Sequence, residues 1–497
     1  VVGRRIVRRR GYPPRATLLP CLRRFLDLAA VLRFAAAFPM HDDPSNAPLL
    51  AAPAPTRSAL ARVIWTLAWP VILTMSVESL VGLLDMLMVG RLGADAVAGV
   101  GIATQILLAV NTFIFGIGTG TIAVVARHLG ARETAAAGRV AAQSTLAGAA
   151  LLTVVVVPAM VFAPQIVAFF NVDGAVAAIA VAYLRIVLLA VPLEAVLIIV
   201  EFALRGAGDT RTPLLASSLV AVVKVVGNYV FIFGAFGWEG LGTDGAAWAS
   251  ALAYSVGALA LFWLLHAGRL VLRLPPRWYR PDPAVIRRVL RIGYPAAIEH
   301  FLMQVGFVIY YSFAAAYDTS AVAAYVIGVR ILGLSFLPGI GFSVAASALV
   351  GQNLGAQRPE EARRCGWGTV GFSSVLMTGA GALIFVAARP IAALFVDDPH
   401  VIAEAVLFIQ VLAAAQPLMA VDFTLGGALR GAGDTRFPLI VVLLGFYVCR
   451  LGFAWYATHV GELGLFWLWF ALVPDYIARV ILKVGRFRSG RWQAIRV

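Results

Sequence analysis

The eleven residues from Leu204 to Leu214 read L-R-G-A-G-D-T-R-T-P-L, and the string returns at Leu429 to Leu439 as L-R-G-A-G-D-T-R-F-P-L. Only Thr212 and Phe437 differ. The offset of 225 residues holds without a gap far outside the stretch: Pro70 maps to Pro295, Leu129-Gly130-Ala131 to Leu354-Gly355-Ala356, Arg139 to Arg364 and Pro192 to Pro417. The chain is therefore one unit used twice, and every other feature has to be placed on that repeat.

Hydrophobic residues make up 61% of the 497 and charged residues 13%. A soluble domain carries about a quarter charged residues, so the composition is that of an integral membrane protein. Apolar runs long enough to span lipid follow one another at 62–90, 96–126, 140–163, 175–204, 212–236, 243–266, 286–317, 320–350, 365–388, 400–429, 438–459 and 463–482. An even number of spans per repeat returns each repeat to the side where it began, so the repeats are parallel, related by an axis along the membrane normal. The expected fold is all-α, with twelve transmembrane helices in two six-helix lobes at 57–266 and 286–485. A proline-bearing linker at 267–285 joins them, and a basic tail follows at 486–497.

The net charge of +15 is distributed in a telling way. Polar breaks on one side of the expected helices hold 25 Lys and Arg, against Arg91 and Arg389 on the other. The positive-inside rule then places both termini in the cytoplasm of a bacterial inner membrane. Nine basic residues lie between Arg4 and Arg33, interrupted too often for a signal peptide. Residues 1–56 read as a disordered or over-extended start with Met40 as the natural beginning, or as a basic arm on a lipid surface. The repeated string falls at a turn on the basic side in both lobes. Gly206 and Gly208 can stop the fourth helix, and Asp209 or Thr210 can cap the fifth. It is either a flexing hinge or a tight helical hairpin.

Charged side chains inside a membrane are costly, and each is a functional candidate. They are Glu78, Asp85, Arg185, Glu194, Glu201 and Lys224 in the first half, and Glu299, His300, Arg330, Asp422 and Arg450 in the second. Asp85 lies fifteen residues after Pro70, a proline able to bend the first helix as a hinge. Its carboxylate can carry a proton, coordinate a dehydrated cation, or simply face water near Arg91. Glu78 shares its helix face about two turns away. Lys224, one of two lysines, sits mid-helix with Asn228 one turn on. A buried ammonium needs a carboxylate, and Asp85, Glu78 and Glu194 are the candidates, Asp85 first. The pair is either a structural lock or part of ion coupling. Arg330, at the repeat position of Gln105, reads as a partner for Glu299 or a polar cavity wall, and Gln304 joins Glu194, Glu299 and Arg330 as a cavity candidate.

Several chemistries lack a signature. Neither Lys224 nor Lys483 sits in a Gly-Lys-Ser/Thr context, so no Walker A loop is present. The three cysteines and six histidines have no ligand spacing, and no nucleophile–base motif points to an enzyme. No catalytic set, metal site or cofactor is expected, and the placement of charge argues against nucleic acid.

Pro70, Asp85 within G-L-L-D-M-L-M-V-G-R-L-G, V-A-R-H-L-G-A at 125–131, V-G-Q-N-L-G-A at 350–356 and the two R-G-A-G-D-T-R-x-P turns together resemble the multidrug and toxic-compound extrusion (MATE) family over residues 58–485. The major facilitator family also has six-plus-six helices, but its signature is absent from R-H-L-G-A-R-E-T-A-A-A-G-R. The resemblance implies two lobes in a V around a central cavity, and an antiporter that exports organic cations or drugs as H+, or Na+, enters. It implies coupling at Asp85, with helix one bending at Pro70. The family's helix-five pattern, an Asn and then an acidic or amide residue, appears here as Lys224 and Asn228. Glu299 lies about one turn before the helix-seven carboxylate of some branches, and Met419 fills their helix-ten position. These departures favour H+ as the coupling ion. A flippase for a lipid-linked precursor is the alternative, and six intramembrane acids against four bases argue mildly against it. Membrane lipids and small organic cations are the expected partners, and the chain is expected to be a monomer.

Overall fold

The computed structural model describes residues 57–235, 239–267, 270–272, 280–461 and 463–495. The extension at 1–56 and much of the linker lie outside the described residues. All regular elements among the described residues are helical, and twelve are long and apolar enough to cross a membrane. They are α1 Ser58–Gly90, α2 Ala94–Gly130, α3 Thr134–Val161, α4 Gly174–Gly206, α5 Arg211–Phe233 and α6 Thr243–His266 in the first lobe. The second lobe holds α7 Pro283–Ala315, α8 Thr319–Gly355, α9 Pro359–Val386, α10 Pro399–Gly431, α11 Arg436–His459 and α12 Leu465–Arg488.

The repeat is visible in the boundaries. Starts at 94, 134, 174 and 211 recur at 319, 359, 399 and 436, the sequence offset of 225. Only the sixth pair drifts, with α12 beginning at Leu465. The helices α3 and α9 start earlier than their apolar runs, because their first turns hold polar residues such as Arg139 and Arg364. The linker is shorter than expected. Asp282 accepts from the backbone of Ala284 and Val285 and so caps α7 at Pro283, and Arg139 pairs with Asp282 at 2.5 Å. The basic tail is also reassigned: Arg486 and Arg488 belong to α12, and Trp492 beyond it is buried.

In each lobe one helix occupies the centre. α4 packs on α2, α3 and α6, and α10 packs on α8, α9 and α12. Lipid offers no hydrophobic drive between helices, so satisfied backbone and close packing hold the bundle. Threonine and serine hydroxyls return to the carbonyl four residues back, as Thr74 does to Pro70 at 2.8 Å. In the repeated turns Gly208 and Gly433 both take φ of 86°, the region that glycine tolerates. Asp209 caps the fifth helix by accepting from the Thr212 amide at 3.0 Å and its hydroxyl at 2.6 Å. Phe437 cannot repeat that bond, and Asp434 instead pairs with Arg486 at 2.8 Å. At the opposite side of the bundle, Asp318 accepts from Ser320 and Ala321 at 2.7 Å, which holds its carboxyl below the ordinary carboxylate range.

The lobes meet along a seam of α2 with α7 and α8, and of α1 with α8. Its close approaches lie in the half of the bundle nearest α1's start. Gly130 and Gly355, one repeat apart, bring the ends of α2 and α8 into backbone contact. A Cβ at Gly130 would stand 1.9 Å from the Gln352 carbonyl oxygen, and one at Gly355 would stand 2.0 Å from that of Arg127. In the far halves, Gly82 of α1, Gly101 of α2 and Gly333 of α8 have nothing within 4 Å of a Cβ.

Candidate functional site

In the first lobe α1 and α5 present their polar residues to each other. Lys224 Nζ stands 3.2 Å from Asp85 Oδ2, with the two side chains 13% and 15% exposed. Asn228, one turn further along α5, donates to Asp85 Oδ1 at 2.8 Å. The pairing expected for Lys224 is formed, and with its first-choice acid. Both oxygens of Asp85 are engaged, one by a charge and one by an amide. Asn228 is buried, and its own Oδ1 has no hydrogen-bond partner.

Behind this pair the polar residues continue through the lobe. Tyr183 of α4 and Tyr254 of α6 lie within electrostatic reach of Asp85 and Lys224. Tyr254 and Lys224 also act on Glu194, which is buried in α4 and accepts from Asn111 of α2 at 3.3 Å. Towards the basic side of the bundle Ser217 lies 3.0 Å from Glu201 and 3.4 Å from Glu78, and Arg205 pairs with Glu201 at 2.8 Å. Asn111 carried a sequence signal, a lone amide in an apolar run. Tyr183 and Tyr254 carried none, since aromatic residues are frequent throughout the spans. Pro70 lies inside α1 as expected, about four turns from Asp85.

The second lobe differs from expectation. Glu299 is held by Arg430 of the repeated turn, whose Nη1 donates to both carboxylate oxygens at 3.0 and 3.3 Å. Arg330, the expected partner, is exposed, and Gln304 is half-buried. The change has a local cause. Arg205 finds its acid at Glu201, but the matching position is Gly426, so Arg430 turns to α7. A Cβ at Gly426 would lie 3.1 Å from Lys483 Nζ and 3.3 Å from Arg430 Nη2, so the glycine also makes room for two cations.

Lys483 stands 2.6 Å from Asp422, Arg479 is 2.5 Å from Asp475 and 4.0 Å from Asp422, and Arg450 is 2.8 Å from Asp475. All five are buried. The rings of Phe446 and Tyr476 lie against Arg450 and Arg479 at 4.7 to 5.6 Å. Arg450 lies in the last turn of a π-helical stretch of α11, Leu443–Leu451, a form that often marks a functional position. Arg479 and Lys483, counted from sequence as basic residues of the terminal break, are therefore interior. Asp475, Arg479 and Lys483 recur every fourth residue, which was the available signal of a single buried face. With Arg205, Arg430, Arg479 and Lys483 added, the excess of intramembrane acids over bases disappears.

Comparisons with known proteins agree with this architecture. The family model described as MatE matches residues 70–230 and 295–456, one segment in each lobe. The chain is 30% identical over 425 residues to a probable multidrug resistance protein NorM of Thermotoga maritima, covering 84% of this chain and 89% of the relative. It is 27% identical over 440 residues to the uncharacterized transporter YisQ of Bacillus subtilis, covering 86% and 94%. In fold it is similar to a MATE structure solved in complex with MaL6, at TM-score 0.80 and 23% identity, with 87% of this chain and 96% of that one covered. It is equally similar, at TM-score 0.80 and 23% identity with 87% and 95% covered, to a MOP superfamily transporter from Pyrococcus furiosus. The latter is described as having a binding pocket whose reverse polarity suggests a different function.

Proposed function

The chain belongs to the MATE family of membrane transporters, and from that premise we propose that it is an antiporter that exports organic cations in exchange for protons. The contact that carries this reading is Asp85 between Lys224 and Asn228. A proton arriving on Asp85 removes the negative charge opposite the ammonium and breaks the attraction between α1 and α5. Lys224 then turns towards Glu194, already within its field. Helix α1 is released to move about Pro70, and the two protonation states of one carboxylate become two positions of one helix. The ammonium occupies the place of a bound metal cation and repels one, which supports H+ over Na+ as the coupling ion.

The substrate class follows from relatives described as multidrug resistance proteins and from the acidic character of the first lobe. The lobe's interior holds Asp85, Glu194 and Glu201 against Lys224 and Arg205, with Glu78 exposed on α1. A flippase needs bases free to meet a pyrophosphate, whereas Arg430, Arg479 and Lys483 each face a carboxylate. The protein acts in a bacterial inner membrane with the seam side cytoplasmic, so the seam closes the cytoplasmic face. Drug-susceptibility profiles of cells expressing the chain test this reading. Raised resistance to amphiphilic cations, lost with a protonophore and in Asp85→Asn, is expected. Unchanged susceptibility to every cation despite full expression overturns it.

A further inference from the structure

The seam carries a lock that the repeat alone does not supply. Arg127 at the end of α2 and Gln352 at the end of α8 occupy the same repeat position. Each reaches across to the other lobe's repeated turn. Gln352 Nε2 donates to the Gly206 carbonyl at 3.1 Å, and Arg127 Nη2 donates to the Ala432 carbonyl at 3.1 Å. These carbonyls belong to the ends of α4 and α10, where the last turn of a helix leaves acceptors unfilled. Arg127 makes one bond more, to the backbone carbonyl of Ile495 at 2.9 Å.

Ile495 is held in place by the second lobe. After α12 the chain reverses at Gly490, whose φ is 68°. Trp492 is buried, stacked on Phe487 with ring centroids 4.6 Å apart, and donates to the Phe487 carbonyl at 2.8 Å. It packs among Val350 and Leu354 of the seam helix α8, Ala362 of α9, and Leu429 and Ala432 at the end of α10. The segment 489–495 is thus a hook fixed to one lobe whose free carbonyl takes the guanidinium of the other. Arg127 has no carboxylate within ion-pair distance among the described residues. Its charge is met at the seam by carbonyl oxygens, and water can replace them once the lobes part.

We propose that Arg127, clasped by the 489–495 hook, is the residue that sets how readily the seam opens, with Gln352 as its weaker counterpart in the other lobe. The proposal rests on the alternating-access reading above, because only a transporter that opens this side needs the clasp to release. Charge-assisted bonds of this kind are about twice as strong as neutral ones, so the two halves of the seam do not open with equal ease. Arg127 is a positioning residue: it need not touch substrate or coupling ion, and it acts on the distribution between two arrangements of the lobes.

Spin labels at Ala135 and Glu360, exposed repeat-related positions on α3 and α9, would report the separation across the seam. Distances are measured in lipid nanodiscs on the full chain, with Cys21, Cys365 and Cys449 replaced by alanine. Trp492→Ala should raise the ratio of long to short distances about tenfold, the loss of one charge-assisted bond, and Arg127→Met, which also loses the bond to Ala432, should raise it further. Their combination should match Arg127→Met alone, because that variant has already lost the hook's contact. Arg127→Lys, which keeps the charge without the planar fork, should fall between wild type and Arg127→Met. A chain ending after Ser489 provides a second removal of the hook if Trp492→Ala unfolds. A seam that opens with substrate to the same extent in all variants overturns the clasp and leaves alternating access standing. A double variant that opens clearly more readily than Arg127→Met alone overturns the shared contact. A seam that never opens overturns both readings.

Discussion

Asp85 has one oxygen bonded to an amide and the other facing an ammonium, and the two neighbours answer protonation differently. Asn228 can still donate to a neutral acid, whereas Lys224 loses its counter-charge. Asp85→Asn should therefore leave a folded, inserted protein whose coupled efflux falls about a hundredfold or more. Transport near the wild-type rate in proteoliposomes would remove Asp85 from the coupling role. Lys224→Met strands the carboxylate instead. Breaking a fully buried pair costs about 3–5 kcal/mol; partial exposure lowers the expected cost here to about 2 kcal/mol. Thermal unfolding should show that loss, and the double variant Lys224→Met with Asp85→Asn should recover most of it. A double variant as unstable as the sum of the singles would mean that the two side chains are not energetically paired. Sequence made this pair legible because a lone lysine in an apolar helix has few acids within reach. It did not make the Glu299–Arg430 pair legible, because the choice depends on Gly426 removing the acid that Arg430 would otherwise have used.

Helices explain the glycines that punctuate both L-G-A strings. Those at Gly130 and Gly355 let two helix ends touch through their backbones, so a methyl group on either forces the ends apart. Gly355→Ala should cost about 1–3 kcal/mol, visible as an earlier thermal transition. Gly371→Ala, on α9 with open space around its Cβ position, should be neutral or stabilising by up to about 1 kcal/mol. Equal effects from the two would show that helix propensity and not seam contact decides. Element order, count and repeat offset were all readable, because apolar length and an ungapped internal match are one-dimensional signals. The end of α12 was not. Its buried face is polar, so Arg479 and Lys483 looked like interfacial anchors until Asp422 of α10 and Asp475 of α12 itself were seen to face them.

Across the whole molecule the two lobes share a scaffold and divide the charge. Acids predominate inside the first lobe, while the second holds Arg430, Arg450, Arg479 and Lys483 against Glu299, Asp422 and Asp475. Removing the interior arginines and lysines from the positive-inside comparison still leaves the basic excess on the seam side. Impermeant maleimide added outside intact cells should therefore spare Glu360→Cys and label Asp397→Cys, on opposite sides of α9 and its following turn. The reverse pattern would invert the orientation and place the closed seam outside. The central claim is that Lys224 takes the place of a metal cation opposite Asp85, so that a proton alone drives exchange. Purified protein in proteoliposomes loaded with an amphiphilic fluorescent cation tests it, with proton and Na+ gradients imposed separately. Efflux driven by the proton gradient in Na+-free buffer, and absent in Asp85→Asn, is the predicted result. Efflux that requires Na+ at fixed pH would contradict it.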